Sequence, residues 1–232
     1  MKLGIFTDSH YSSAEVLCGV RFNSKSLGKI KIAMEHFKKE NCDLVVCLGD
    51  VTDYEDTHEK EVENLRAVSK VLKESGLKTY IVMGNHDGFA FCRDDFYGIV
   101  GKEFIPENIT VEDKKLIFLD TCFFDNGKRY APGDDDWTNS YLKDTDGLEK
   151  DLRNAPDNVY VFMHHNIDPE VWEDHRVKNS DEIIEILKKS GKVKTVFQGH
   201  CHPGHKSVYD GIEYVTLPAM CEREDAYYVF EI

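Results

Sequence analysis

Five short stretches of this chain carry side chains able to hold a cation: Asp8-Ser9-His10, Gly49-Asp50, Gly84-Asn85-His86-Asp87, His164-His165 and Gly199-His200-Cys201-His202. In order they spell D-x-H, GD, GNHD, HH and GHxH. Aspartate and histidine donors with one asparagine carbonyl, and no C-x-x-C pair, suit borderline or hard metals such as manganese, iron or zinc. A structural zinc site built on cysteines is excluded. Each motif alone could be a loop with a surface histidine; five in series, each behind an apolar run, point to one shared site.

Those runs read as strands at 2–6, 43–48, 78–83, 159–163 and 193–198. Between the first three lie two helical patterns. One, at 26–40, spaces Leu27, Ile30, Ala33, Met34 and Phe37 along one face; the other, at 57–75, does the same with Val62, Leu65, Val68, Val71 and Leu72 and stops at Gly76. Such a β-α-β-α-β series predicts parallel strands with right-handed crossovers, which brings the motif loops to one carboxyl edge. The later chain predicts helices at 94–100, 146–154 and 180–190, the last with Ser180 as N-cap and Gly191 as stop. A hairpin is expected around Asp113-Lys114-Lys115 and another around Asp210-Gly211, with a last strand at 226–232. Segments 11–23 and 121–145 have no regular pattern and are expected near the active-site edge, since long irregular loops in compact domains are usually functional or disordered. Asp134-Asp135-Asp136 lacks calcium-loop spacing and reads as a solvated turn.

A chain of 232 residues suits a single domain, 1–232, built on one substantial core. Lys+Arg 29 against Asp+Glu 43 leaves a net charge of −14, which opposes binding of a nucleic-acid polymer. Seven cysteines without a pairing pattern suit reduced thiols in a cytoplasmic protein. No window approaches the ~20 apolar residues of a membrane span, and no charged leader precedes the first strand, so no membrane partner is expected.

The motif series resembles that of the calcineurin-like metallophosphoesterases. The resemblance implies a four-layer α/β/β/α sandwich of two mixed β-sheets flanked by helices. It also implies two metal ions: one held by Asp8, His10 and His202, the second by Asn85, His164 and His200, with Asp50 bridging them. Paired ions of this kind sit about 3.5–4 Å apart and lower the pKa of a bound water from 15.7 toward about 7, supplying a hydroxide to attack phosphorus. By the same resemblance His86 contacts the phosphate or protonates the leaving oxygen, and Asp53 orients it. His165 is expected to line the pocket and Arg21 to grip a second phosphate. Cys201 and His205 lie outside the pattern, and His36, His58 and His175 read as surface residues.

Asp8-Ser9-His10-Tyr11 with Arg21-Phe22, and the ending Gly211 to Leu217 with Cys221-Glu222, are similar to the branch of manganese-dependent ADP-ribose/CDP-alcohol diphosphatases. They are also compatible with class III cyclic-nucleotide phosphodiesterases. The expected activity is therefore hydrolysis of a small phosphodiester or nucleotide diphosphate. A phosphomonoesterase or a protein Ser/Thr phosphatase could use the same core, but the latter branch follows GDxxD with Arg-Gly and GNH with Glu. Here Tyr54-Glu55 and Asp87 stand in those places. From another class, a non-catalytic scaffold of this fold would tend to lose ligands or the catalytic histidine, and this chain keeps them all.

Overall fold

A computed structural model of the chain describes residues 1–232. In chain order its first half comprises β1 (Lys2–Phe6), α1 (Ser26–Lys39), β2 (Leu44–Cys47), α2 (His58–Ser75), β3 (Thr79–Ile81), α3 (Asn85–Ala90) and α4 (Arg93–Val100). The second half comprises β4 (Ile109–Val111), β5 (Lys114–Phe118), α5 (Thr145–Arg153), β6 (Asn158–Phe162), α6 (Ser180–Ser190), β7 (Val193–Gln198), β8 (His205–Tyr209), β9 (Ile212–Thr216) and β10 (Tyr227–Glu231).

Alternation along the strands decides the layers. Leu3 and Ile5 of β1, Leu44 and Val46 of β2, and Phe162 and Phe197 of β6 and β7 meet in a buried cluster between two sheets. Their neighbours Phe6, Val45 and Cys47 face the other way, onto α1, α2 and α4. Val159, Val161 and Val196 pack outward against Leu148 and Leu152 of α5 and Ile183, Ile184 and Leu187 of α6. Both faces of the central strands are therefore covered, which is why these runs are apolar almost throughout.

One sheet has the order β10-β1-β2-β3 and the other β4-β5-β6-β7-β9-β8. β1, β2 and β3 are parallel, as are β5, β6, β7 and β9. β10 runs antiparallel to β1, and β4 and β8 are antiparallel edges. This is the expected four-layer sandwich of two mixed sheets. No helix is long and apolar enough to cross a membrane.

The structure departs from the sequence reading in four places. Val111 pairs with Lys114, so the first hairpin turns at Glu112-Asp113 and both lysines belong to β5. Asn179, not Ser180, is the N-cap of α6; its amide is tied to the Leu142 backbone, while the Ser180 hydroxyl accepts from Arg176. The end of the chain, which the hairpin and last strand lead one to expect as antiparallel, is mixed, because β9 runs parallel to β7 and β10 returns to the first sheet. Finally, Asn85–Ala90 forms a short helix that its length and Gly88 concealed. The Asp87 carboxylate caps it by accepting from the Gly84 amide at 2.9 Å.

Candidate metal centre

The carboxyl ends of β1, β2 and β3 in one sheet and of β6 and β7 in the other deliver the motif loops to a single edge. Backbone bonds lock the loops together: Asp8 N donates to Gly49 O at 3.0 Å, His10 N to Asp50 O at 2.9 Å, and Gly199 N to His164 O at 2.9 Å. Asp8, His10, Asp50 and His200 adopt left-handed backbone angles, with φ of 52°, 44°, 50° and 65°. Each such residue costs on the order of 1 kcal/mol or more, held by the surrounding contacts, and such strain concentrates at functional sites.

Two glycines explain themselves by close approach. A Cβ on Gly84 would fall on the Asp50 carboxylate, and one on Gly199 would fall on the Thr7 hydroxyl and the Asp8 carboxylate.

Asp50 is central. Its Oδ1 accepts the His86 amide at 2.9 Å, while Oδ2 lies 3.5 Å from His10 Nε2 and 3.3 Å from His164 Nε2. Asp8 Oδ1 faces His10 Nε2 at 3.7 Å and His202 Nε2 at 3.4 Å; its Oδ2 accepts from Thr7 Oγ1 at 2.5 Å and His200 N at 3.0 Å. Asn85 Oδ1 lies 3.2 Å from His164 Nε2. Two outer nitrogens are hydrogen-bonded, His164 Nδ1 donating to Leu48 O at 2.8 Å and His202 Nδ1 meeting Glu222 at 2.6 Å, while His10 Nδ1 faces Asp53 at 3.3 Å without a hydrogen bond. Such partners aim the inner nitrogen of a metal-binding histidine. Asp8 Oδ1, His10 Nε2 and His200 Nε2 are buried with no hydrogen-bond partner. Orphaned inward atoms of this kind fit a bound cation, and Asp8, Asp50 and His164, or His164, His165 and His200, each bring ligand atoms within 4.8 Å of one another.

The electrostatics agree. Burial disfavours charge on Asp8, Asp50 and Asp53, yet the imidazoles around them hold all three well below the ordinary carboxylate range. Burial opposes a proton on His164 and His202, and the adjoining carboxylates overcome it, lifting them to about 9 and about 12. Burial and positive neighbours depress His165 and His200. The carboxylates thus draw positive charge into the site, and a metal cation supplies that charge directly. Asp87 sits behind them: burial and the nearby Asp50 push it up to about 7, while the amides of Asp50, Val51 and Gly84 donate to its carboxylate.

His86 stands beside this cluster, its side chain 15% exposed and its Nδ1 3.1 Å from Asp53 Oδ1. Asp53 serves two histidines, since its Oδ2 also faces His10, accepts from Asn23 at 3.0 Å and lies 3.5 Å from Arg21. A cavity of about 280 Å³ opens over Asp50, Asn85, His86, His200 and His202, with Arg21, Trp137 and His175 among its walls. His165 is absent from that lining: its side chain is fully buried, with Nδ1 2.7 Å from the Thr121 hydroxyl. His164, Asp8 and His10 lie outside that lining as well. His165 stays beside His164 and His200, at 4.9 and 4.7 Å between ring centroids, and its Nε2 is buried without a hydrogen-bond partner, so it belongs to the cluster of candidate donor atoms. His175, expected as a plain surface residue, packs beside His200 at 5.3 Å between ring centroids. Asp87, Glu222 and Trp137 were not assigned from sequence. Asp87 lay inside GNHD and Glu222 in the Cys221-Glu222 stretch, either of which could have flagged its residue; Trp137 had no such signal.

A family model described as calcineurin-like phosphoesterase matches residues 1–204. A 3′,5′-cyclic-nucleotide phosphodiesterase of Nostoc is 25% identical over 231 residues, covering 95% of this chain and 79% of that protein. A 3′,5′-cyclic adenosine monophosphate phosphodiesterase of Haemophilus influenzae is 32% identical over 80 residues, only 33% of this chain and 29% of its own length. Among solved structures, a dimetal phosphatase from Danio rerio superposes with a TM-score of 0.83 at 17% identity, covering 98% of this chain and 91% of that one. At that identity the likeness speaks for the fold.

Proposed function

We propose, from the premise that this chain belongs to the calcineurin-like phosphoesterase family, that it hydrolyses a small phosphodiester or nucleotide diphosphate at a centre of two metal ions. The chain is a metal-dependent phosphoesterase; the substrate class and the roles of individual residues are the reading offered here. The observation that carries it is the convergence of Asp8, His10, Asp50, Asn85, His164, His200 and His202, with inward atoms left without partners. The chemistry supplied by two bound ions, manganese, iron or zinc by donor type, is charge neutralisation on phosphoryl oxygens and acidification of water.

The protein's own groups do the rest. Asp53 holds His86 by Nδ1, so Nε2 is the nitrogen left to meet a phosphoryl oxygen or to protonate the leaving oxygen. Asp53 is a positioning residue and His86 the catalytic one. Arg21, on the cavity wall, is placed to pair with a second anionic group, which favours diphosphates within the proposed range. Names of the relatives favour cyclic nucleotides within the same range. The −14 charge works against long polyanions, while a small substrate reaches the cations through a cavity of about 280 Å³. Residues 1–232 act as one domain in this reading, in a reducing cytoplasmic setting that suits seven unpaired cysteines.

The test is elemental analysis and a substrate panel on one preparation: cyclic nucleotides, aryl diesters, ADP-ribose, CDP-alcohols, a phosphopeptide and DNA. Two metals per chain with turnover confined to the small diesters or diphosphates is expected. Faster hydrolysis of the phosphopeptide, or no turnover with both metals bound, overturns the proposal.

A further inference from the structure

The chain has two tryptophans, and both stand at this site. Trp137 comes from the long irregular loop after β5 and lines the cavity. Its ring lies 5.5 Å from that of His200 and 5.0 Å from that of His175. Trp172 comes from a different segment, after β6, and packs on His175 at 5.3 Å while remaining 61% exposed. The two segments are tied together: Lys178 N donates to Ser140 O at 2.8 Å, and the Asn179 side chain bonds both backbone groups of Leu142. Trp137 packs on one side against the first core cluster and faces the cavity with the rest of its ring, while the exposed Trp172 gains little from packing; an indole π face held at a cavity rim can receive another ring.

The position is directional. Trp137 and His175 adjoin His200, in the second half of the centre, whereas Arg21 is tied through Asp53 to His10, in the first. A phosphorus atom over Asp50 would have an aromatic wall on one side and a guanidinium on the other.

We infer that Trp137, with His175 and Trp172 behind and beside it, is a stacking wall that selects phosphoesters carrying a planar aromatic group, a nucleobase or an aryl ring. The inference rests on the phosphohydrolase reading and narrows its substrate class. Base–aromatic stacking is worth enough to change binding by about 10-fold or more when the aromatic residue is lost.

The metal-loaded protein is titrated with AMP, phenyl phosphate and ribose 5-phosphate under tryptophan-selective excitation, which reports only on these two residues. AMP should bind about 10-fold tighter than ribose 5-phosphate and quench the emission. Trp137→Ala should erase that difference, Trp137→Phe should keep most of it, and Trp172→Phe should retain the quench. Phenyl phosphate binding like AMP assigns the wall to any planar ring; binding like ribose 5-phosphate assigns it to nucleobases. Equal affinities for AMP and ribose 5-phosphate in the unmodified protein, or a Trp137→Phe variant that weakens both alike, overturns the inference. These affinities are read without turnover, so a protein that hydrolyses small diesters but shows no ring preference fails this inference alone. One that binds AMP selectively but hydrolyses nothing fails the phosphohydrolase reading instead.

Discussion

Asp50 is the one carboxylate within 3.5 Å of a histidine in each half of the centre. Asp50→Ala should therefore strip both metals, whereas Asn85→Ala should deplete mainly one, as metal-to-protein ratios will show; two tightly held ions in the Asp50 variant would contradict the bridging role. His86→Ala predicts a different pattern, with metal content kept and kcat reduced about 10²–10⁴-fold, the usual contribution of a positioned acid or charge-stabilising group. Metal loss in that variant would instead make His86 a ligand. Asp53 lies between these cases because it faces both His10 and His86. Asp53→Asn should lower kcat and also weaken the first metal, a double effect that a group acting on His86 alone would not give. His202 and Glu222 carry the same lesson: a histidine's outward bond is as much a part of the site as its inward nitrogen.

At the scale of elements, the loops are positioned by strands whose two faces are both buried, so the packing of those strands sets the geometry of the ligands. Phe162 is fully buried with its ring stacked 4.9 Å from Phe118 and 5.2 Å from Phe197. Removing it in Phe162→Ala should cost about 3–5 kcal/mol in denaturant unfolding, through lost burial and the cavity left behind. The glycine before Asn85 acts at closer range. Gly84→Ala would push a methyl into the Asp50 carboxylate and should release metal, whereas alanine at Gly76, whose surroundings are open, would leave the metals in place. Equal metal retention in the two variants would show that the GNHD loop gives way without moving Asp50. Most elements were legible from periodicity and turn residues, including the stop of α2 at Gly76 and the turn at Asp210-Gly211, both with positive φ. Those misread were short or set by remote partners: α3 is six residues long, and the cap of α6 answers to Leu142.

For the molecule as a whole, the centre joins the two sheets, so bound metal should stabilise the fold as well as the chemistry. Four buried aspartates in and behind the site lose their compensating cations when a chelator removes the metals, and the melting temperature should fall. Restoring manganese at about 100 times its Kd should return on the order of 2.7 kcal/mol. A melting temperature indifferent to chelation and re-addition would mean that the ions do not link the sheets. What the sequence determined by itself was whatever local chemistry encodes: the donor types, their order behind five apolar runs, and the alternation of strand and helix that sends parallel strands to one edge. Only the tertiary structure decided which side chains share that edge. His200 N reaches an Asp8 oxygen across 192 positions, His165 packs with its neighbour His164 against His200, and His175 and Trp137 reach the cavity from segments with no periodicity. Contacts of that kind are set by how loops close and pack on one another, and neighbours along the chain hold no record of it.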